Sequence, residues 1–111
     1  MIKSTDVKIG NYIQGVAHIL IVDKYIIENI VDNPKHPYKP ITLSIDWLKK
    51  AGYKQLKCIN KTYSLGNFED NSAIFVSGEK FAHINTGTRL DYVHELQNLH
   101  SCLFKKELKF N

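Results

Sequence analysis

The chain has 111 residues, 43% of them hydrophobic, with three prolines and six glycines, a usage that predicts one folded domain over residues 1–111 and excludes a disordered chain. Fifteen basic against eleven acidic residues give a net charge of +4, yet only Arg89 is an arginine, and scattered lysines without guanidinium forks argue against sequence-specific nucleic-acid recognition. No apolar run approaches the roughly 20 residues of a membrane-spanning helix. Two distant cysteines, Cys58 and Cys102, in a chain without a signal-peptide pattern predict reduced thiols in a cytoplasm rather than a disulfide framework.

In chain order, Asp6–Ile13 is a short apolar alternation with a turn-capable Gly10-Asn11, and Gly15 ends the run that follows. Val16–Val22 and Tyr25–Val31 are rich in β-branched residues and flank Asp23-Lys24, which predicts a β-hairpin. Asn33-Pro-Lys-His-Pro-Tyr-Lys-Pro40 spaces its prolines by three, so backbone donors are missing and the segment is extended. It reads either as a loop crossing from sheet to helix or as a proline-motif ligand for a partner.

Ser44 is placed to cap a helix over Ile45–Ala51, with Asp46 in its first turn, Lys49 and Lys50 near its end, and Gly52 stopping it. Barely two turns cannot persist alone in water, so Trp47, Leu48 and Ala51 are expected to pack on the sheet, Trp47 as a core anchor. Tyr53–Tyr63 alternates lysines with apolar residues and predicts an exposed edge strand or irregular segment. Leu65–Ser72 carries turn signals between strands over 62–65 and 73–77, and Gly78-Glu79 connects tightly into Lys80–Ile84, with Phe81 and His83 on one face.

Thr88-Arg-Leu-Asp91 matches a capping box and predicts a last helix over Leu90–Leu103. Its buried stripe is expected to be Tyr92, Val93, Leu96, Leu99 and Leu103. His94, Gln97, Asn98 and Ser101 gather on the opposite side, either as solvated surface or as a hydrogen-bonding contact with a ligand or protein. The predicted fold class is α+β: a small, mostly antiparallel sheet, barrel-like closure being one form open to it, with a short central helix and a C-terminal amphipathic helix.

Catalytic signatures are missing. The five histidines form no HExxH pair, there is no CxxC, nucleophile elbow, P-loop or dinucleotide fingerprint, and a Cys102 nucleophile beside His83 or His94 rests on chance coincidence alone. The expectation is a non-enzymatic protein with no metal and no cofactor.

Three separated blocks, Val7-Lys-Ile-Gly-Asn-Tyr-Ile13, Pro40-Ile-Thr-Leu-Ser-Ile-Asp-Trp-Leu-Lys-Lys-Ala-Gly-Tyr53 and Tyr92-Val-His-Glu-Leu-Gln-Asn-Leu99, resemble in that order a family of small, functionally uncharacterised proteins encoded by bacteriophages and prophages. The resemblance covers most of the chain; it departs at Ser44-Ile45, where a more acidic helix start is usual. It implies a phage-type origin and the cytoplasm of a host cell, and carries no activity or site residues.

The expected function is therefore binding: inhibition of a bacterial anti-phage defence system, either by sequestering a nucleotide-like signal or by docking on a host defence protein. Asn85, Thr86, Thr88 and Arg89 supply an amide, two hydroxyls and a guanidinium around Gly87 at an expected helix N-terminus, a plausible pocket for an anionic nucleotide-like ligand, with His94 and Asn98 extending it. The same residues equally describe a plain helix cap. Alternatives are a nucleic-acid accessory protein presenting lysines with Tyr12, Tyr38 and Tyr63, and a minor phage structural or assembly component. Homo-oligomerisation stays open.

Overall fold

Residues 2, 5–56, 61–65 and 72–110 are described by the computed structural model. The first strand, β1 (Tyr12–Gln14), pairs antiparallel with β2 (Ile19–Ile21), Ile13 opposite Leu20. The chain then departs from the predicted hairpin: Tyr25–Val31 is not a strand but lies inside helix α1 (Lys24–Asp32). The physical reason is the residue between the two segments. Asp23 accepts a hydrogen bond from the Ile26 amide at 2.9 Å, satisfying an orphan donor of the first turn. Beyond that cap, Ile26, Ile27 and Ile30 follow at helical spacing and reach one small core with Ile2, Val7, Ile13 and Val22, so cap and spacing outweigh β-branched propensity.

Helix α2 (Ile45–Lys50) is capped by Ser44 as expected and ends where Gly52 takes φ +95°. Leu48 is fully buried and Trp47 half-buried, its indole edge-on to Tyr12 and Phe110 at ring separations of 5.9 and 5.2 Å. Five antiparallel strands follow in simple order: β3 (Lys54–Gln55), β4 (Thr62–Ser64), β5 (Ile74–Ser77), β6 (Lys80–His83) and β7 (Arg89–Leu90). Gly78-Glu79 makes the two-residue β5–β6 turn, and Phe81 and His83 share the buried face. The sheet is open, so the barrel-like form is not what the described residues adopt. The fold is α+β, with no helix among the described residues long and apolar enough to cross a membrane.

The last helix, α3 (Val93–Phe104), starts later than predicted, and Thr88 does not cap it. Leu90 is still pairing with Phe81 in the sheet, and the next residues pair outward: Leu43 donates to the Asp91 carbonyl and Val93 to the Ile41 carbonyl. Only beyond Tyr92 is the backbone free to coil, and Glu95 closes the helix start by accepting from the Asp91 and Tyr92 amides at 2.9 and 3.0 Å. Val93 and Leu96 are buried as expected, whereas Leu99 and Leu103 are half-buried and Tyr92 is exposed. A second, larger core joins Val93, Leu96 and Leu99 to Leu43, Leu48, Tyr53, Ile74, Phe81 and Leu90.

Candidate functional site

In the polar stripe of α3, Gln97 and Asn98 are bonded into the fold. Gln97 accepts from the Tyr12 amide at 2.7 Å and donates to the Gly10 carbonyl at 3.1 Å, while Asn98 accepts from Asn11 Nδ2 at 3.0 Å and donates to the Asp6 carbonyl at 3.4 Å. Four bonds thus hold the first strand and the residues leading into it against the last helix, and Asn98 is committed to the fold. Gly10 sits at φ +96° with Glu107 Oε1 3.2 Å from where a Cβ would stand, so a side chain there would meet both backbone strain and a crowded neighbour. Val7–Ile13 thus bonds to Tyr92–Leu99 through Tyr12, Gly10 and Gln97, and Pro40–Tyr53 bonds to it through Ile41 and Val93.

His94 is 5% exposed, and its ring lies parallel to that of Tyr92 at 5.7 Å. Burial holds its imidazole below the ordinary histidine range, against the opposing pull of Glu95 and Asp6. Its Nδ1 has no hydrogen-bond partner.

Asn85–Thr88 lies in the β6–β7 turn and Arg89 opens β7, so the segment is not a helix start. Gly87, at φ +69°, donates to the His83 carbonyl, and His83 donates to the Thr88 carbonyl, both at 2.8 Å. The Thr86 hydroxyl meets His83 Nδ1 at 2.8 Å and the Thr88 hydroxyl at 2.7 Å, so both hydroxyls serve the turn, and Asn85 also has a partner. Arg89 pairs with Asp91 at 2.8 Å. The helix dipole invoked for an anion pocket therefore stands at Val93, beyond Arg89, where Glu95 already occupies it.

Arg89 does line a cleft of about 740 Å³, together with Tyr92, Phe81 and Ser44, but Asp46, Glu79 and Asp91 line it too. Three carboxylates against one paired guanidinium disfavour a phosphate there. The residues proposed as stacking aromatics are also otherwise engaged. Tyr63 is buried, Tyr12 packs on Phe110 and Trp47, and Tyr38 stacks on His36 and accepts from Asn29. Cys102 is a free, exposed thiol; Cys58 lies outside the described residues. Among the described residues no three histidine, cysteine or carboxylate side chains gather as a metal site.

What sequence reasoning missed is a sheet edge. The bonds Gly15 to His18 and Val22 to Asn11 fix which residues of the β1–β2 ladder face inward, leaving the amides and carbonyls of Ile19 and Ile21 pointing away from β1. On β1 the matching outward groups are taken: Tyr12 by Gln97, Gln14 by Lys39. β7 runs into the segment covered by Ile41–Leu43, and β3 ends the large sheet with Lys54-Gln55, a polar, charged edge. Only β2, among the described strands, has an outer edge that is both uncovered and apolar. Ile19 and Ile21 are 47% and 57% exposed, and Val16 in the hairpin turn is 83% exposed. The alternation Ile-Leu-Ile was the available signal, and it lay hidden inside the longer predicted strand over 16–22.

No protein-family model, curated protein or solved structure matches this chain.

Proposed function

We propose that this chain is a non-catalytic, phage-type binding protein that acts by docking on a host protein, with a component of an anti-phage defence system as the partner. The observation that carries this reading is the β2 edge. Folded proteins blunt exposed edges with lysine, proline or a covering segment; among the described strands β3 carries Lys54 and Ile41–Leu43 lies beside the residues that follow β7, while β2 presents Ile19 and Ile21 bare, with Val16 exposed in its turn. Such an edge accepts an extended partner strand, whose main chain supplies affinity and whose side chains meet the isoleucines. Docking is favoured over nucleotide sequestration because the Asn85–Arg89 hydroxyls are engaged within their own turn and Arg89 is already paired.

The test is phage plating on hosts carrying individual defence systems, with and without this protein. Wild type is expected to restore plating against the system it antagonises. Ile19→Lys with Ile21→Lys should abolish that effect at unchanged fold. Arg89→Ala should preserve it, because an exposed ion pair contributes no more than about 1 kcal/mol. Full activity of the lysine variant, or loss of activity in Arg89→Ala, would transfer the function away from β2.

A further inference from the structure

Tyr92 is the meeting point of three depressions. The first, of about 740 Å³, lies between the start of α2, the β5–β6 turn and Arg89. The second, of about 350 Å³, is walled by the proline segment and shares Thr42 and Tyr92 with the first. The third, of about 460 Å³, is walled by the start of α3 and Asp6 and shares Pro40 and Tyr92 with the second. Together they form one groove bending around a tyrosine ring that is 37% exposed.

The charge of this groove is opposite to that of the molecule. Asp6, Asp46, Glu79, Asp91 and Glu95 line it, five of the chain's eleven carboxylates, against Lys39 and Arg89, two of its fifteen cations. Arg89 is already neutralised by Asp91, the one ion pair seen among the described residues. One face of the Tyr92 ring is backed by His94, an almost fully buried imidazole whose Nδ1 has no partner. Burial keeps that ring in its neutral form near neutral pH, so the layer behind Tyr92 adds no positive charge.

We propose that this groove binds an extended, arginine-bearing segment of a protein partner. A planar guanidinium stacks on a tyrosine face and is held by carboxylates to either side, a fit that a compact ammonium meets less well. Three joined compartments with acids at both ends and the ring between them suit successive side chains of an extended strand rather than one compact ligand. The site is separate from the β2 edge and does not depend on what binds there.

The experiment is fluorescence anisotropy with a labelled hexapeptide alternating arginine and glycine, against the same peptide carrying uncharged citrulline. The arginine peptide should bind saturably, and citrulline should weaken it by about tenfold or more, the scale of a lost charge-assisted and cation–π contact. Glu79→Gln with Asp46→Asn, and separately Tyr92→Leu, should each weaken binding by about tenfold, while Tyr92→Phe, which keeps the ring, should retain it. Ile19→Lys with Ile21→Lys should leave peptide binding unchanged, which separates this site from the sheet edge. Equal binding of the two peptides, absence of saturable binding, indifference to the carboxylate and Tyr92→Leu variants, or displacement by spermidine or a cyclic dinucleotide at equal concentration would each overturn the proposal.

Discussion

Gln97 uses both ends of its amide on backbone groups at the start of the first strand and just before it, accepting from Tyr12 and donating to Gly10. Gln97→Ala would leave a buried donor and acceptor unmatched and is expected to cost about 1 to 3 kcal/mol, read as a lower urea midpoint. His94 supplies a second residue-level expectation. Its folded imidazole titrates below the ordinary value because of burial, as does that of His100, where burial is reinforced by Lys106. Below about pH 6.5 the unfolded chain takes up protons that the folded chain resists, so stability is greatest above that value and falls as the pH drops through it. The melting temperature should fall between about pH 7.5 and pH 5.5, and His94→Gln should flatten that fall; an identical fall in the variant would remove His94 as its source. At this scale the sequence displayed the donor-rich face of α3 but not its destination, because its partners lie about 90 positions away near the N-terminus, at sequence separations of 87 for Asn11–Asn98 and 92 for Asp6–Asn98.

At the scale of elements, local signals succeeded where they acted locally. Ser44, Gly52 and Gly78 each mark a boundary that the backbone respects, at a helix start, a helix stop and a two-residue turn. The errors came where one local signal competed with another. In Tyr25–Val31, β-branched composition concealed a helix announced by the Asp23 cap and by the helical spacing of Ile26, Ile27 and Ile30. Asp23→Ala should therefore cost about 0.5 to 2 kcal/mol, measured by chemical denaturation, and loosen α1 in amide exchange. In Thr88–Asp91, a capping-box pattern coincided with a strand, and Thr88 serves its turn while Glu95 starts the helix. Tertiary pairing of Leu90 with Phe81 and of Val93 with Ile41 decided the matter, and no residue within the segment encodes those partners.

At the scale of the whole molecule, the proline segment and the residues after it link the two sheets: Lys39 pairs with Gln14 of the small sheet, and Ile41 and Leu43 bond to Val93 and Asp91 just beyond β7 of the large one. The α+β class was legible because turn residues and apolar periodicity set it without reference to the exact pairing. The candidate site was not, since an uncovered edge is defined by what fails to pack beside it, a property of the assembled sheet. The central claim, docking through β2, is tested most directly by amide hydrogen exchange at Ile19 and Ile21, in the free protein and with the defence component identified by plating. Both amides should exchange freely in the dilute free chain and become protected in the complex, while those of Tyr12 and Gln14 are protected throughout. Ile19 and Ile21 amides already protected in the free chain, or unchanged on binding, would contradict it.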